Sequence, residues 1–461
     1  MYKKIIQPTT GKNPAKFIVK SKLFKEVNAD FNGGTITSDA GAIILEQIDE
    51  NLGLSRKLAL YIKDKRQQAK VKHSVEEMLR QRIFQISCGY EDLNDANTLK
   101  NDPVLKMING RNPETDDALA SPSTLCRFEN APSSGELLNM GKIFIQLFIE
   151  QRINKPPRKI ILDFDATEDP THGQQYFSFY NGYFMTHCFF PMIVTARCDD
   201  EEYFEPLAAV LRPGNSHPAA GTLTIIKCIH TLIRKSFPDT EIVFRGDAGF
   251  ASPEIYEWLE TNKLAYVIGF PKNNKVMEIT KSVLDKAKEL FSQTNEKVRI
   301  FDEFNYKAGT WGKYRKMVIK AEVLKKGENP RFLVTNLKET PEDIYDKIYA
   351  RRGDMENRIK ELKEDLKMDR TSCHGFLANQ LRLILTLAAY KLYVETRKHL
   401  QGTQLEKAQT GTIMKKLIKI GARARETCRR VWIHFSGSFP LQDIFVNLLE
   451  RLKVESAIDS C

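Results

Sequence analysis

The sequence predicts a mixed α/β protein in which a central sheet is preceded and followed by mainly helical regions. Three observations support this fold class. An apolar strand pattern starts at residue 159, and two further strands follow it before any helix. Strands and helices then alternate as far as residue 270. Helical periodicity dominates before residue 155 and after residue 376, so the sheet belongs to the middle of the chain.

Composition narrows the class of protein. The chain has 461 residues, of which 42% are hydrophobic, so it can form two or three domains with cores of their own. Lys and Arg outnumber Asp and Glu by 70 to 59, and the net charge of +11 favours a polyanionic partner. The eight cysteines form no C-x-x-C pair, which argues against a zinc site and a disulfide framework. No apolar signal segment or membrane span is visible, and we expect a cytoplasmic protein.

Residues 1–155 are predicted to be a helical N-terminal region. Ser74 and Glu77 have the spacing of a capping box, and Pro122 marks the first turn of a short helix. A longer helix is expected over about 135–152. Short helices with exposed arginines suit a DNA-binding region, but they suit an ordinary helical subdomain equally well.

Residues 156–375 are predicted to contain the sheet. Its expected strands cover 159–165, 183–196, 204–211, 241–245 and 265–270, with helices over 218–234 and 253–261. Alternating apolar and polar residues over about 295–337 predict a small antiparallel β insertion. Long helices are expected over 341–369 and 376–397. The C-terminal region, 376–461, is expected to be mainly helical, with a strand over 431–435.

The segment after residue 341 carries a row of four polar side chains. Tyr349, Arg352, Glu356 and Lys363 lie at offsets of 3, 7 and 14 from the first, which places them on one face of a helix. The row would then present a phenol, a guanidinium, a carboxylate and an ammonium to the same side. The alternative is a solvated helix face with local ion pairs such as Arg352–Glu356.

Two aspartates stand at the ends of apolar strands. Asp165 ends the strand that starts at 159, and Asp247 follows the strand over 241–245. Acids at strand ends, joined by a third acid from a helix, can bind Mg²⁺ or Mn²⁺ through oxygen ligands. Two such ions about 3.5–4 Å apart support phosphodiester transfer. The alternative for each aspartate is a turn residue that caps the following loop.

The Tyr-x2-Arg-x3-Glu-x6-Lys row resembles the signature of a large group of bacterial insertion-sequence transposases with an Asp-Asp-Glu (DDE) active site. Members have an RNase H-like catalytic domain with a β-rich insertion between the second Asp and the Glu, where this chain has its own β segment. The resemblance covers residues from about 35 to 440, and it includes the segments 89–95, 127–130, 172–174, 211–215 and 245–247.

The resemblance implies roles for individual residues. Asp165, Asp247 and Glu356 would form the catalytic triad that binds Mg²⁺ (or Mn²⁺), with two ions expected. Asp163 lies two residues before Asp165 on the same strand and stays open as the first acid; Asp165 is preferred because a small residue and a threonine follow it. Arg352 and Lys363 would bind phosphates of the transposon end, and Tyr349 would hydrogen-bond a phosphate near the cut.

Two residues of the β insertion are candidates for DNA contact. In relatives, a tryptophan of the insertion receives a base flipped out of the DNA, and Trp311 is the corresponding candidate, with Arg315 nearby. On that hypothesis Trp311 is partly exposed on the active-site side. The alternative is that Trp311 packs the insertion's small core. A densely basic stretch over 415–425, followed by Arg429 and Arg430, either touches DNA or forms a solvated basic helix.

The expected function is therefore a DNA transposase that binds terminal inverted repeats, cuts the strands in a metal-dependent reaction and transfers them to target DNA. Its partners would be double-stranded DNA, both element ends and target, and a second copy in a homodimer on paired ends. We expect it at the bacterial nucleoid and not at a membrane. Two alternatives stay open: an RNase H-like nuclease without strand transfer, and a non-catalytic DNA-binding descendant.

Overall fold

The computed structural model describes residues 17–19, 22–23, 25–199 and 201–458, with side chains up to residue 453. Its first part is mainly helical, as predicted. The strands there are β1 (Phe17–Val19), β2 (Val27–Ala29) and β3 (Ile36–Thr37), and the helices are α1 (Ala42–Leu52), α2 (Leu54–Ala59), α3 (Val75–Ser87), α4 (Ala96–Leu99), α5 (Pro103–Ile108), α6 (Pro122–Glu129) and α7 (Ser134–Glu150). The Ser74 side chain caps α3 by accepting from the Glu77 N–H, at 3.0 Å.

The middle of the chain forms a large mixed sheet, which confirms the predicted α/β class. Its elements are β4 (Lys159–Ala166), β5 (Asp169–Pro170), β6 (Phe179–Asn181), β7 (Thr186–Phe189), β8 (Met192–Cys198), β9 (Glu205–Val210), α8 (Thr222–Ser236), β10 (Glu241–Gly246), α9 (Pro253–Thr261) and β11 (Ala265–Phe270). Strand β4 pairs in parallel with β10 and antiparallel with β8, while β10 pairs in parallel with β11. The short strands β5, β7 and β6 form a separate three-stranded sheet.

The antiparallel strands expected in the β insertion are present, and they extend the central sheet and share its core. After α10 (Asn274–Ile279) and α11 (Lys281–Thr294), which we had not predicted, come β12 (Val298–Tyr306), β13 (Arg315–Leu324), β14 (Gly327–Glu328) and β15 (Arg331–Thr335). Strand β15 pairs antiparallel with β11, and the sheet order is β12-β13-β15-β11-β10-β4-β8-β9. This pairing satisfies the free hydrogen-bonding edge of β11.

The remaining elements are α12 (Pro341–Asp343), α13 (Gly353–Lys360), α14 (Phe376–His399), α15 (Thr410–Ile413), β16 (Ala422–Glu426), β17 (Val431–Phe435) and α16 (Gln442–Ile458). Residues 341–365 are helical throughout, but π-helical turns cover Ile344–Tyr349 and Glu361–Asp365. The basic stretch over 415–425 is not one helix, because β16 occupies its second half. In the described part of the chain, no helix has the length and apolar character needed to cross a membrane.

Two main cores hold these elements together. The first core joins the N-terminal helices, α14 and the C-terminal elements, and it receives Phe189, Ile193 and Leu211 from the sheet region. The second core lies between the other face of the sheet and helices such as α8 and α9. Helix α14 is buried along almost its whole length, which explains its continuous apolar sequence.

Candidate active site

Strand alternation and parallel pairing position the two aspartates. Ile160, Leu162 and Phe164 point into the second core, so Asp163 and Asp165 point from β4 to the opposite face of the sheet. Strand β10 runs parallel to β4 with Arg245 opposite Asp163, and Asp247 follows directly after it. One Asp247 carboxylate oxygen accepts from the Gly249 N–H at 2.8 Å, as a capping residue would, and the other oxygen faces the Arg352 guanidinium at 3.5 Å.

The helical segment 341–365 brings the third acid to the same place. Its irregular π and 3-10 turns precede α13, and π turns inside helices often occur at functional sites. Arg352 ends the 3-10 turn, and its guanidinium lies 2.9 Å from Asp165, 3.5 Å from Asp247 and 3.7 Å from Glu356. Three acids that are distant in sequence therefore meet around one guanidinium.

Burial and charge set the electrostatics of this group. Burial raises the pKa of Asp165 to about 6, although Arg352 pulls it down, and the neighbouring Asp247 raises it further. Burial would lower the pKa of Arg352, but Asp165 and Asp247 outweigh that effect and keep it above its ordinary value. Arg352 is thus held as a cation between carboxylates. Removing the Arg352 guanidinium or a neighbouring carboxylate would leave the remaining charges without a full counter-charge in a partly buried site.

Asp163 pairs with a different arginine, Arg245. Its carboxylate forms a buried two-point ion pair with Arg245, in which Nη2 lies 2.6 Å from Oδ2. Arg245 also donates to the main-chain carbonyl of Ile348, so one guanidinium ties β10 to β4 and to the segment before Arg352. No role for Arg245 was evident from the sequence patterns. The available signal was a charged residue inside the apolar strand 242–245.

Tyr349 and Lys363 flank the acids. Burial raises the pKa of the Tyr349 phenol. A Cβ atom on Gly269 would lie 2.8 Å from that hydroxyl and 2.8 Å from the Ala248 nitrogen, so the close approach requires glycine in β11. The Lys363 ammonium binds the Glu168 carboxylate and its main-chain carbonyl, each at 2.9 Å, three residues beyond Asp165.

The expectations for the two residues of the β insertion were wrong. Trp311 is only 4% exposed, and its indole packs edge-on against Tyr256, Phe270 and Tyr306 with ring centroids 5.4–5.6 Å apart. Arg315 is also buried and binds both carboxylate oxygens of Glu260, at 2.8 and 3.0 Å. Because the insertion joins the main sheet, its inner face belongs to a large core, which encloses both side chains.

The acids provide the right donor atoms for a divalent ion. Carboxylate oxygens suit Mg²⁺ and Mn²⁺, and Asp165 and Asp247 already lie beside a bound cation, the Arg352 guanidinium. Within the described residues, however, no three His, Cys, Asp or Glu side chains are grouped closely enough to hold a metal ion. The Glu356 side chain is 71% exposed, so a change of rotamer can move its carboxylate. The donor chemistry of Asp165 and Asp247 suits such an ion, and the Glu356 carboxylate would have to move towards them to share it.

These features define a class: α/β proteins in which acids at two neighbouring strand ends lie beside an arginine of a helical segment that also carries a third acid. The chain belongs to the family described as Transposase DDE domain group 1, whose model matches residues 19–457. A search of curated proteins finds no match. The family consists of transposases, which act on DNA and generally use divalent metal ions, and the mixed sheet is compatible with an RNase H-like DDE domain.

Proposed function

We propose that this protein is an insertion-sequence transposase that binds terminal inverted repeats and catalyses metal-dependent strand cleavage and strand transfer. The observation that carries the proposal is the meeting of Asp165, Asp247 and Glu356 around Arg352 in a chain of the DDE family. Neighbouring strands β4 and β10 of the parallel pair supply two of these acids, and a helix supplies the third. The sheet order is consistent with an RNase H-like catalytic domain.

In this proposal the three acids would hold two Mg²⁺ (or Mn²⁺) ions, which would supply Lewis-acid activation of the nucleophile and charge stabilisation at the leaving oxygen. Water attacks a phosphodiester, the bond from phosphorus to the 3′ oxygen breaks, and that oxygen leaves as a 3′-hydroxyl. The same hydroxyl then attacks a target phosphodiester. A new bond to phosphorus forms as the target's own 3′ oxygen departs.

The cations beside the acids would position the DNA. Arg352 is placed to release a carboxylate and bind a DNA phosphate instead. A planar guanidinium can donate two parallel hydrogen bonds to one phosphate group. Lys363 lies at the loop that follows Asp165, where it would bind a second phosphate. Tyr349 would donate a hydrogen bond from its neutral phenol, since burial keeps the pKa above its ordinary value.

The other parts of the chain complete the proposal. We assign recognition of the element ends to the helical region 1–155, catalysis to 156–375 and a supporting role to 376–461. We also propose a homodimer on paired ends. The support is that excision requires cuts at both ends, whereas the described residues contain one such set of acids.

A cleavage assay tests this function. The substrate is a supercoiled plasmid that carries this gene with its flanking DNA, incubated with Mg²⁺. We expect cuts at the element ends and joined products, both lost in EDTA and in Asp247→Asn. The matched control is Glu364→Gln, an exposed acid on the same helical segment that forms an ion pair with Lys360; it should cleave normally.

The outcomes separate the alternatives. Cleavage without joined products would indicate a nuclease that lacks strand transfer. Duplex binding without any metal-dependent cleavage would indicate a non-catalytic descendant. Full activity of Asp247→Asn, or of the wild type in EDTA, would overturn the metal mechanism.

A further inference from the structure

The second half of the basic stretch enters β16, the middle strand of a three-stranded sheet with the order β17-β16-β3. We define the hairpin of β16 and β17, residues 422–435, as the ribbon. Strands β16 and β17 pair antiparallel, with Arg423 opposite His434 and Arg425 opposite Trp432. All four of these side chains are exposed, because residues two apart on a strand share a face. The ribbon therefore carries one outer face made of two guanidiniums and two aromatic rings.

The inner face of the ribbon anchors it to the body of the protein. Ala422 and Ala424 are buried, and Ile433 and Phe435 pack against the first core. The Phe435 ring lies 5.0 Å from the Phe445 ring in α16. The outer face is thus presented by a fixed element and has a defined geometry.

The ribbon carries far more positive than negative charge. Arg429 and Arg430 add two exposed guanidiniums at the turn. The ribbon's single acid, Glu426, accepts from the Glu114 and Thr115 N–H groups at 3.0 and 3.2 Å and from the Thr115 hydroxyl at 2.7 Å. Within the described part of the chain, none of the four guanidiniums forms an ion pair with a carboxylate.

We propose that the ribbon of residues 422–435 is a binding site for duplex DNA, with Arg423 and Arg425 contacting the sugar–phosphate backbone at a groove. Four guanidiniums without carboxylate partners complement a polyanion. Strand β3 borders β16 only as far as Ala424, so the ribbon beyond that point is two strands wide. The major groove, about 12 Å wide, admits two strands that are about 4.8 Å apart. Trp432 and His434, with nearly parallel rings whose centroids are 6.1 Å apart, give the same face a flat aromatic surface on the strand opposite Arg423 and Arg425.

This inference rests on the proposed function only in taking DNA as the substrate. It assigns to the C-terminal region a duplex-binding site that is separate from the acids around Arg352. Loss of the ribbon should therefore weaken binding to any duplex, whether or not cleavage occurs.

The test measures binding in EDTA, where no cleavage takes place. The probe is a fluorescent 30-base-pair duplex of arbitrary sequence, titrated at several salt concentrations. In the double variant Arg423→Ala, Arg425→Ala, the slope of log K against log salt should become shallower by about two, because each lost phosphate contact releases about one counterion fewer. Replacing both arginines by lysine should restore the slope.

The matched control removes two charges that already have carboxylate partners. Arg56 pairs with Glu50, and Lys288 pairs with Glu328, both at the surface. The double variant Arg56→Ala, Lys288→Ala should keep the wild-type slope. Equal slopes for the wild type and the ribbon variant, with unchanged thermal stability, would overturn the ribbon as a DNA site. Wild-type protein that binds DNA through the ribbon but never cleaves would overturn the proposed function alone.

Discussion

At the residue scale, Asp163 and Asp165 show how position decides the role of a side chain. Both stand on the same face of β4, and both are buried. Arg245 reaches Asp163 from the neighbouring strand and neutralises it, whereas Asp165 faces Arg352 and the other two acids. The geometry supports Asp165 as the first acid of the proposed triad.

This difference predicts opposite effects for two similar substitutions. Asp163→Asn leaves the Arg245 guanidinium buried without a counter-charge, so the free energy of unfolding should fall by about 3 kcal/mol in urea titrations. Asp165→Asn should abolish cleavage at a smaller loss of stability. If Asp163→Asn were as stable as the wild type and inactive while Asp165→Asn cleaved DNA, the two assignments would have to be exchanged.

Asp169 predicts a dependence of stability on pH. Burial raises its pKa to about 8, while a hydrogen bond from the Thr371 hydroxyl, at 2.8 Å, opposes the shift. Because the folded protein holds this proton more tightly than the unfolded chain, the stability contributed by Asp169 falls as pH rises from about 4 to 8.

Asp169→Asn removes that titration. Relative to the wild type, the variant should gain roughly 1–3 kcal/mol in unfolding free energy between pH 5 and pH 8. Thermal melts at both pH values measure the change. A difference that stays constant over this range would show that Asp169 does not titrate there.

At the scale of elements, the β insertion is the clearest departure from expectation. Its strand patterns predicted a small antiparallel insertion, which would offer a tryptophan little core of its own to fill. Pairing of β15 with β11 instead places the inner face of β13 in the second core, where Met317, Ile319 and Ala321 are buried. Trp311 packs beside this face and stabilises it.

Trp311→Ala should therefore lower the free energy of unfolding by about 3–5 kcal/mol. The folded fraction should bind DNA as the wild type does. Trp432→Ala is the stability control, because the Trp432 side chain is 47% exposed and its removal leaves no cavity. If the Trp311→Ala variant were as stable as the wild type but failed specifically at a step that needs an unpaired base, Trp311 would again be the candidate for base stacking.

At the scale of the whole molecule, a buried charge cluster joins the sheet to α14 and to the segment that follows α7. Glu205 in β9 binds Lys391 at 2.5 Å and also contacts Lys398 and Arg152. Burial would raise the pKa of Glu205, but Lys391 and the other cations outweigh it and hold the pKa well below its ordinary value. The cluster lies beside the end of α7, the helix that contributes Leu147 to the first core and Phe148 to the second.

Glu205→Gln should lower the unfolding free energy by about 3–5 kcal/mol, because several cations lose their shared counter-charge in a buried place. Unfolding should stay a single transition, since α14 packs both against helix α3 and against strand β9 of the sheet. Glu150→Gln breaks an exposed ion pair with Lys57 and should cost less than about 1 kcal/mol. Separate melting of sheet and helices in calorimetry would contradict this coupling.

The sequence by itself determined the elements whose signals are local. Apolar periodicity located β4, β10, β11 and α14, and the Tyr349–Lys363 row identified the family that the match over residues 19–457 confirms. Only the tertiary structure decided which charges are neutralised and which face the site. Asp163, Arg315 and Glu205 look like surface or site residues in sequence, yet their partners, Arg245, Glu260 and Lys391, come from distant strands and helices. Burial and ion pairing depend on such long-range neighbours, and for that reason no local pattern could place Trp311 in the core.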